Sequence, residues 1–137
     1  MKLNFKYFYF FCICAFAFNV SVAQTGNKKE KTGPRARYDL AGPFCGGIAR
    51  VMTKQKWGYI DTTGNVIVKP KYNQVENFSE GIARVRLGQK WGLIDTTGTE
   101  LIKPTFTFIG EFIDGKAKVL LEGEEYFMNK QGIRVDK

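Results

Sequence analysis

Apolar residues in this chain come in short bursts, not in long amphipathic stretches. Positions 48–51, 57–60 and 66–68 are three of these bursts, and glycines or the tetrapeptide Asp-Thr-Thr-Gly separate them. No long run places apolar residues at helical spacing, while Gly, Thr and β-branched residues dominate, so the period is that of strands. Pro70 and Pro104 would end any helix that entered them. The pattern predicts an all-β fold with three short strands per unit and loops near 53–55, 61–65 and 69–78.

The units repeat. Phe44, Phe78 and Phe112 mark a 34-residue period. Residues 44–77 read FCGGIARVMTKQKWGYIDTTGNVIVKPKYNQVEN and residues 78–111 read FSEGIARVRLGQKWGLIDTTGTELIKPTFTFIGE. Half of the aligned positions are identical, which is duplication. A third copy, 112–137, has Glu125-Tyr126 in place of Trp-Gly and Asn129 in place of Asp, and it keeps Gly132. Upstream, YDLAGPF at 38–44 aligns with YNQVENF at 72–78 and FTFIGEF at 106–112, as the tail of an earlier unit would. The expected domain therefore spans 38–137. It is a short tandem array of antiparallel β-hairpin or three-stranded units, with a partial repeat at 38–43, full repeats at 44–77 and 78–111, and a degenerate capping repeat at 112–137. Glu122, Glu124 and Glu125 put charge on that last copy, where it would discourage edge pairing with another chain.

Asp-Thr-Thr-Gly raises a choice. In a turn, Asp at the first position accepts from the backbone amide two residues on, and Gly at the fourth supplies positive φ. Asp61 with Gly64, Asp95 with Gly98 and Asn129 with Gly132 fit those slots. The alternative is a carboxylate-dependent hydrolase using Asp61 and Asp95, which would need the two carboxylates close enough to share a proton. Asn129 favours the turn, because a catalytic carboxylate could not become an amide.

Trp-Gly has a related explanation. Glycine repeated inside a strand implies close approach of another backbone or a large ring. Trp57 and Trp91 recur at the repeat spacing and are expected in the core; an exposed aromatic ladder gripping sugar rings is the alternative. The neighbouring positions Tyr59/Leu93/Phe127 and Ile60/Ile94/Met128 are apolar on opposite sides of one strand. Burial of both faces follows.

Together F-x-[EG]-G-I-A-R-V, K-W-G-[YL]-I-D-T-T-G and I-x-K-P-x-[YF] resemble the WG-repeat (KWG) proteins of bacteria over roughly residues 38–137. The resemblance implies a β-rich tandem array, commonly exported or surface-associated, with no assigned catalytic residues.

The start of the chain belongs to a different element. Lys2 and Lys6 precede an apolar run at 7–18 (YFYFFCICAFAF), followed by NVSVAQ with Ser21 and Ala23 at the positions a signal peptidase reads. A signal peptide over 1–23, cut between Ala23 and Gln24, is expected; the run is short for a bilayer span, which takes about 20 apolar residues. A secreted or periplasmic protein follows, without stable membrane insertion after cleavage. Residues 24–37 are basic and polar, as in a flexible linker. Net charge is +8, and +6 without Lys2 and Lys6. Of the three cysteines only Cys45 remains after cleavage, so no internal disulfide can form. There is no histidine, which removes Ser-His-Asp and Cys-His catalysis and most zinc sites.

These observations point to a non-enzymatic, exported interaction module with no cofactor and no metal site. Nucleic acid is a poor partner for an exported chain; an acidic glycan or acidic protein surface of the envelope suits the charge. The candidate binding residues are repeat-equivalent cations: Arg50, Arg84 and Lys118; Lys69, Lys103 and Lys137; and Lys56 with Lys90. Equivalent residues of an array point the same way and could form rows. Ordinary solubilising charge along sheet edges is the competing explanation.

Overall fold

A computed structural model describes residues 33–35 and 37–136. The predicted signal peptide, most of the linker and Lys137 lie outside the described residues. Twelve strands follow one another: β1 (Leu40–Cys45), β2 (Ile48–Thr53), β3 (Lys56–Asp61), β4 (Val66–Tyr72), β5 (Gln74–Val75), β6 (Ile82–Leu87), β7 (Lys90–Asp95), β8 (Glu100–Phe106), β9 (Phe108–Ile109), β10 (Lys116–Leu121), β11 (Glu124–Asn129) and β12 (Arg134–Val135). No helix occurs among the described residues. The all-β expectation holds.

The strands form three four-stranded antiparallel sheets, β1 to β4, β5 to β8 and β9 to β12, each ordered as in the chain. Each unit thus has a fourth strand beyond the three expected, and the expected loop at 69–78 is largely strand. β4 runs to Tyr72 and β5 starts at Gln74, so a single residue, Asn73, separates the last strand of one sheet from the first strand of the next. Thr107 does the same between β8 and β9. Pro70 and Pro104 are tolerated inside β4 and β8 because both are edge strands, where a missing N–H leaves no partner unsatisfied.

The core lies between the sheets. Tyr59, Val68 and Tyr72 of the first sheet pack with Val75, Ala83, Val85 and Ile94 of the second. Leu93, Phe106 and Ile82 of the second pack with Ile109, Ala117, Val119 and Met128 of the third. Because side chains alternate across a strand, Leu93 and Ile94 serve different layers, and both are fully buried. The middle sheet is therefore apolar on both faces, as the paired apolar positions indicated. Trp57 and Trp91 pack at the margins of these layers, half-buried. Arg50 lies over the Trp57 ring at 5.9 Å, and Arg86 over Trp91 at 5.7 Å.

Trp-Gly acts through its glycine. A Cβ on Gly58 would sit 2.3 Å from the Val68 carbonyl oxygen, and one on Gly92 would sit 2.4 Å from that of Ile102. The close approach is made by the neighbouring strand of the same sheet, where β4 and β8 bulge: Ile60 pairs with Val66 but Tyr59 with Val68, and Ile94 with Glu100 but Leu93 with Ile102. The third sheet has Tyr126 at the glycine position, and there Met128 pairs with Arg134 and Phe127 with Val135 with no shift. Glycine and bulge occur together.

Candidate functional site

The Asp-Thr-Thr-Gly segments are turns. Asp61 Oδ1 accepts from the Thr63 amide at 2.9 Å, the Thr63 hydroxyl at 2.6 Å and the Asn65 amide at 2.9 Å. Asp95 Oδ1 repeats the set with Thr97 at 2.9 and 2.6 Å and the Thr99 amide at 3.0 Å. Asn129 makes the same backbone bonds, from Gln131 at 3.0 Å and Ile133 at 2.9 Å. The amides of Gly64, Gly98 and Gly132 close each turn onto the carbonyl of the first residue, with φ of 89°, 86° and 80°. The threonine hydroxyls, helped by the backbone amides, hold both aspartate carboxyls below their ordinary pKa against a smaller opposing effect of burial. A carboxylate kept ionised is a poor proton donor. What the sequence did not reveal is a second use of the glycine: a Cβ on Gly98 would lie 2.6 Å from the Ile67 carbonyl oxygen, so the turn rests on β4 of the preceding sheet.

Arg50 and Arg84 do not form an open basic row. Each reaches across an inter-sheet layer. Arg50 Nη1 donates to the Val75 carbonyl at 3.4 Å, and Arg84 Nη1 to the Ile109 carbonyl at 2.8 Å. Arg84 Nε also pairs with Glu76 Oε2 at 2.6 Å. Lys118, their equivalent in the third sheet, is exposed and pairs with Glu125 on its own sheet at 2.6 Å. The sequence equated the three positions; the structure separates two inter-sheet ties from one surface lysine.

Lys69 and Lys103 are exposed on the edge strands β4 and β8, each just before the edge proline. Lys90 is exposed and donates to the Thr107 hydroxyl at 3.4 Å, while Lys56 is half-buried. Near this edge, Glu100 accepts from the buried Tyr72 hydroxyl at 2.6 Å and from Lys71 at 3.0 Å. Those two donors lower the Glu100 pKa. Desolvation, followed by the bond to Glu100, raises that of Tyr72. Tyr59, also fully buried, donates to the Glu76 carbonyl and is likewise raised, chiefly by burial.

The structure adds a feature absent from the sequence candidates. Phe108 and Phe127 of the third sheet, with Ile113 from the connection between β9 and β10, line an open groove of about 570 Å³ on the face turned away from the second sheet. A signal for it exists in the repeat alignment. Phe108 stands one 34-residue period after Gln74, and Ile113 one period after Ser79, so apolar residues enter at positions that are polar one repeat earlier.

Among the described residues no group of three or more His, Cys, Asp and Glu side chains is arranged to hold a metal ion, and no helix is long and apolar enough to cross a membrane. No curated protein and no solved structure matches the chain. A model of the WG containing repeat matches residues 35–57, 57–91 and 91–124 in three consecutive hits. With that spacing and three repeated sheets, the chain belongs to the WG-repeat family.

Proposed function

We propose that this chain is an exported, non-enzymatic interaction module of the bacterial cell envelope, with an acidic glycan or acidic protein surface as its partner. The observation that carries this is the exposure of Lys69 and Lys103 at equivalent places on successive edge strands. They offer two cations at repeat spacing outside the core, whereas Arg50 and Arg84 are engaged between sheets. The hydrolase alternative is disfavoured because its two aspartates are tied into turns that an asparagine forms equally well.

The mature chain, its N-terminus checked at Gln24 by mass spectrometry, should be retained on acidic glycans or envelope fractions at low salt. Retention should weaken as salt rises, because exposed charges are screened. Lys69→Glu with Lys103→Glu should abolish it without altering the circular-dichroism spectrum. Retention unchanged by the charge reversal would rule out this surface. Hydrolytic turnover lost in Asp61→Asn or Asp95→Asn would reinstate the enzyme.

A further inference from the structure

The two ends of the array differ, and the difference points to a partner. At each internal layer, a fully buried side chain from the third strand of one sheet (Tyr59, then Leu93) packs against the next sheet. At each layer an arginine also ties onto a backbone carbonyl of the next sheet's first strand. The outer face of the third sheet carries the equivalents of both, Phe127 and Lys118, directly paired across β10 and β11. There Phe127 lines the open groove, Lys118 turns to Glu125, and Phe108 and Ile113 are 50% and 58% exposed. This face continues the internal interface with no further sheet on it among the described residues.

The first sheet is finished differently. Pro34 and Tyr38 stand one period before Val68 and Tyr72. They take up the same places: a Cβ on Gly64 would meet Pro34 Cβ at 2.9 Å, as one on Gly98 would meet Val68 Cγ2 at 2.9 Å. Tyr38 packs with Ala49, Val51 and Ile60, all fully buried. The outer face of the first sheet is therefore closed.

We infer that the open face of the third sheet binds the same face of a second copy, giving a closed tail-to-tail dimer. The internal layers join unlike faces, but the unlike face of a second copy is covered at its first sheet. Head-to-tail stacking therefore has no receiving face, and the two open apolar faces are left to cover each other. The charges agree with a two-fold contact, in which each residue of the patch meets another of the same patch. Around the apolar centre the face carries Lys116 and Lys118 together with Glu111 and Asp114, so both signs of charge are available to such a contact.

Sedimentation velocity of the mature chain across a concentration series should show reversible monomer and dimer with no larger species. Phe108→Asp with Ile113→Asp, both at exposed positions, should raise the dimer dissociation constant by about a hundredfold or more. Their thermal melt should stay that of the dilute wild type. A wild type that is monomeric at every concentration overturns the inference. So does a dimer indifferent to the aspartates, or an open polymer. If the aspartate variant fails to fold, the wild-type masses across the concentration series still decide.

Discussion

The turn aspartate and its glycine carry different parts of the fold. Asp95 supplies acceptor oxygen to three donors within four residues, and asparagine at 129 keeps the two backbone bonds. Asp61→Asn and Asp95→Asn should therefore shift a urea midpoint little at neutral pH. Gly98→Val should cost about 3 kcal/mol or more. It places a β-branched residue at positive φ, and its Cβ meets the Ile67 carbonyl at 2.6 Å, which requires the sheets to part. The pH dependence follows from the lowered carboxyl pKa values. Their contribution is present above the ordinary carboxylate range and is lost as pH falls through the folded value. Melts between neutral and acidic pH should show this loss in the wild type and a weaker one in the double asparagine variant.

Among the elements, the second strand of each unit illustrates how one alignment column can hold two functions. Arg84 on β6 is partly buried and holds both a carbonyl of the third sheet and the Glu76 carboxylate. Lys118 on β10 is exposed and pairs with an equally exposed glutamate. Hydrogen bonds involving a charged group contribute about 1.5–3 kcal/mol, while exposed ion pairs contribute about 0–1 kcal/mol. Arg84→Met should then lower stability by about 1–3 kcal/mol, and Lys118→Met by less than about 1 kcal/mol, in denaturant titrations of the two variants. Equal losses would mean that the inter-sheet tie adds nothing beyond packing.

The molecule as a whole is held by layers between sheets, so no sheet completes its own core. Removing residues 112–137 would take away Ala117, Val119 and Met128 and expose Leu93 and Phe106, now buried. Large exposed apolar faces of this kind promote association. The truncated chain should aggregate or lose its circular-dichroism signal, and size-exclusion chromatography would show which. Removing 24–31 should change neither readout, whereas extending the deletion through Arg35 should lower stability. Pro34 lies against Gly64, and Arg35 donates to the Gly42 carbonyl at 3.1 Å and sits over the Phe44 ring at 5.6 Å.

The sequence by itself determined whatever depends on local chemistry. Alternating apolar positions specify strands, because pleated backbones send successive side chains to opposite faces. Asp or Asn with Gly three residues on specifies the turn, because its acceptor and its positive φ lie within one tetrapeptide. Duplication specifies the period. Tertiary structure alone decided where the strands change sheet, at Asn73 and Thr107, since a strand crossing between layers has the same local pattern as one that does not. It also decided that Arg50 and Arg84 face a neighbouring sheet while Lys118 faces solvent. A residue's partners across a layer are set by what stacks on it, and that information is absent from its own neighbourhood in the chain.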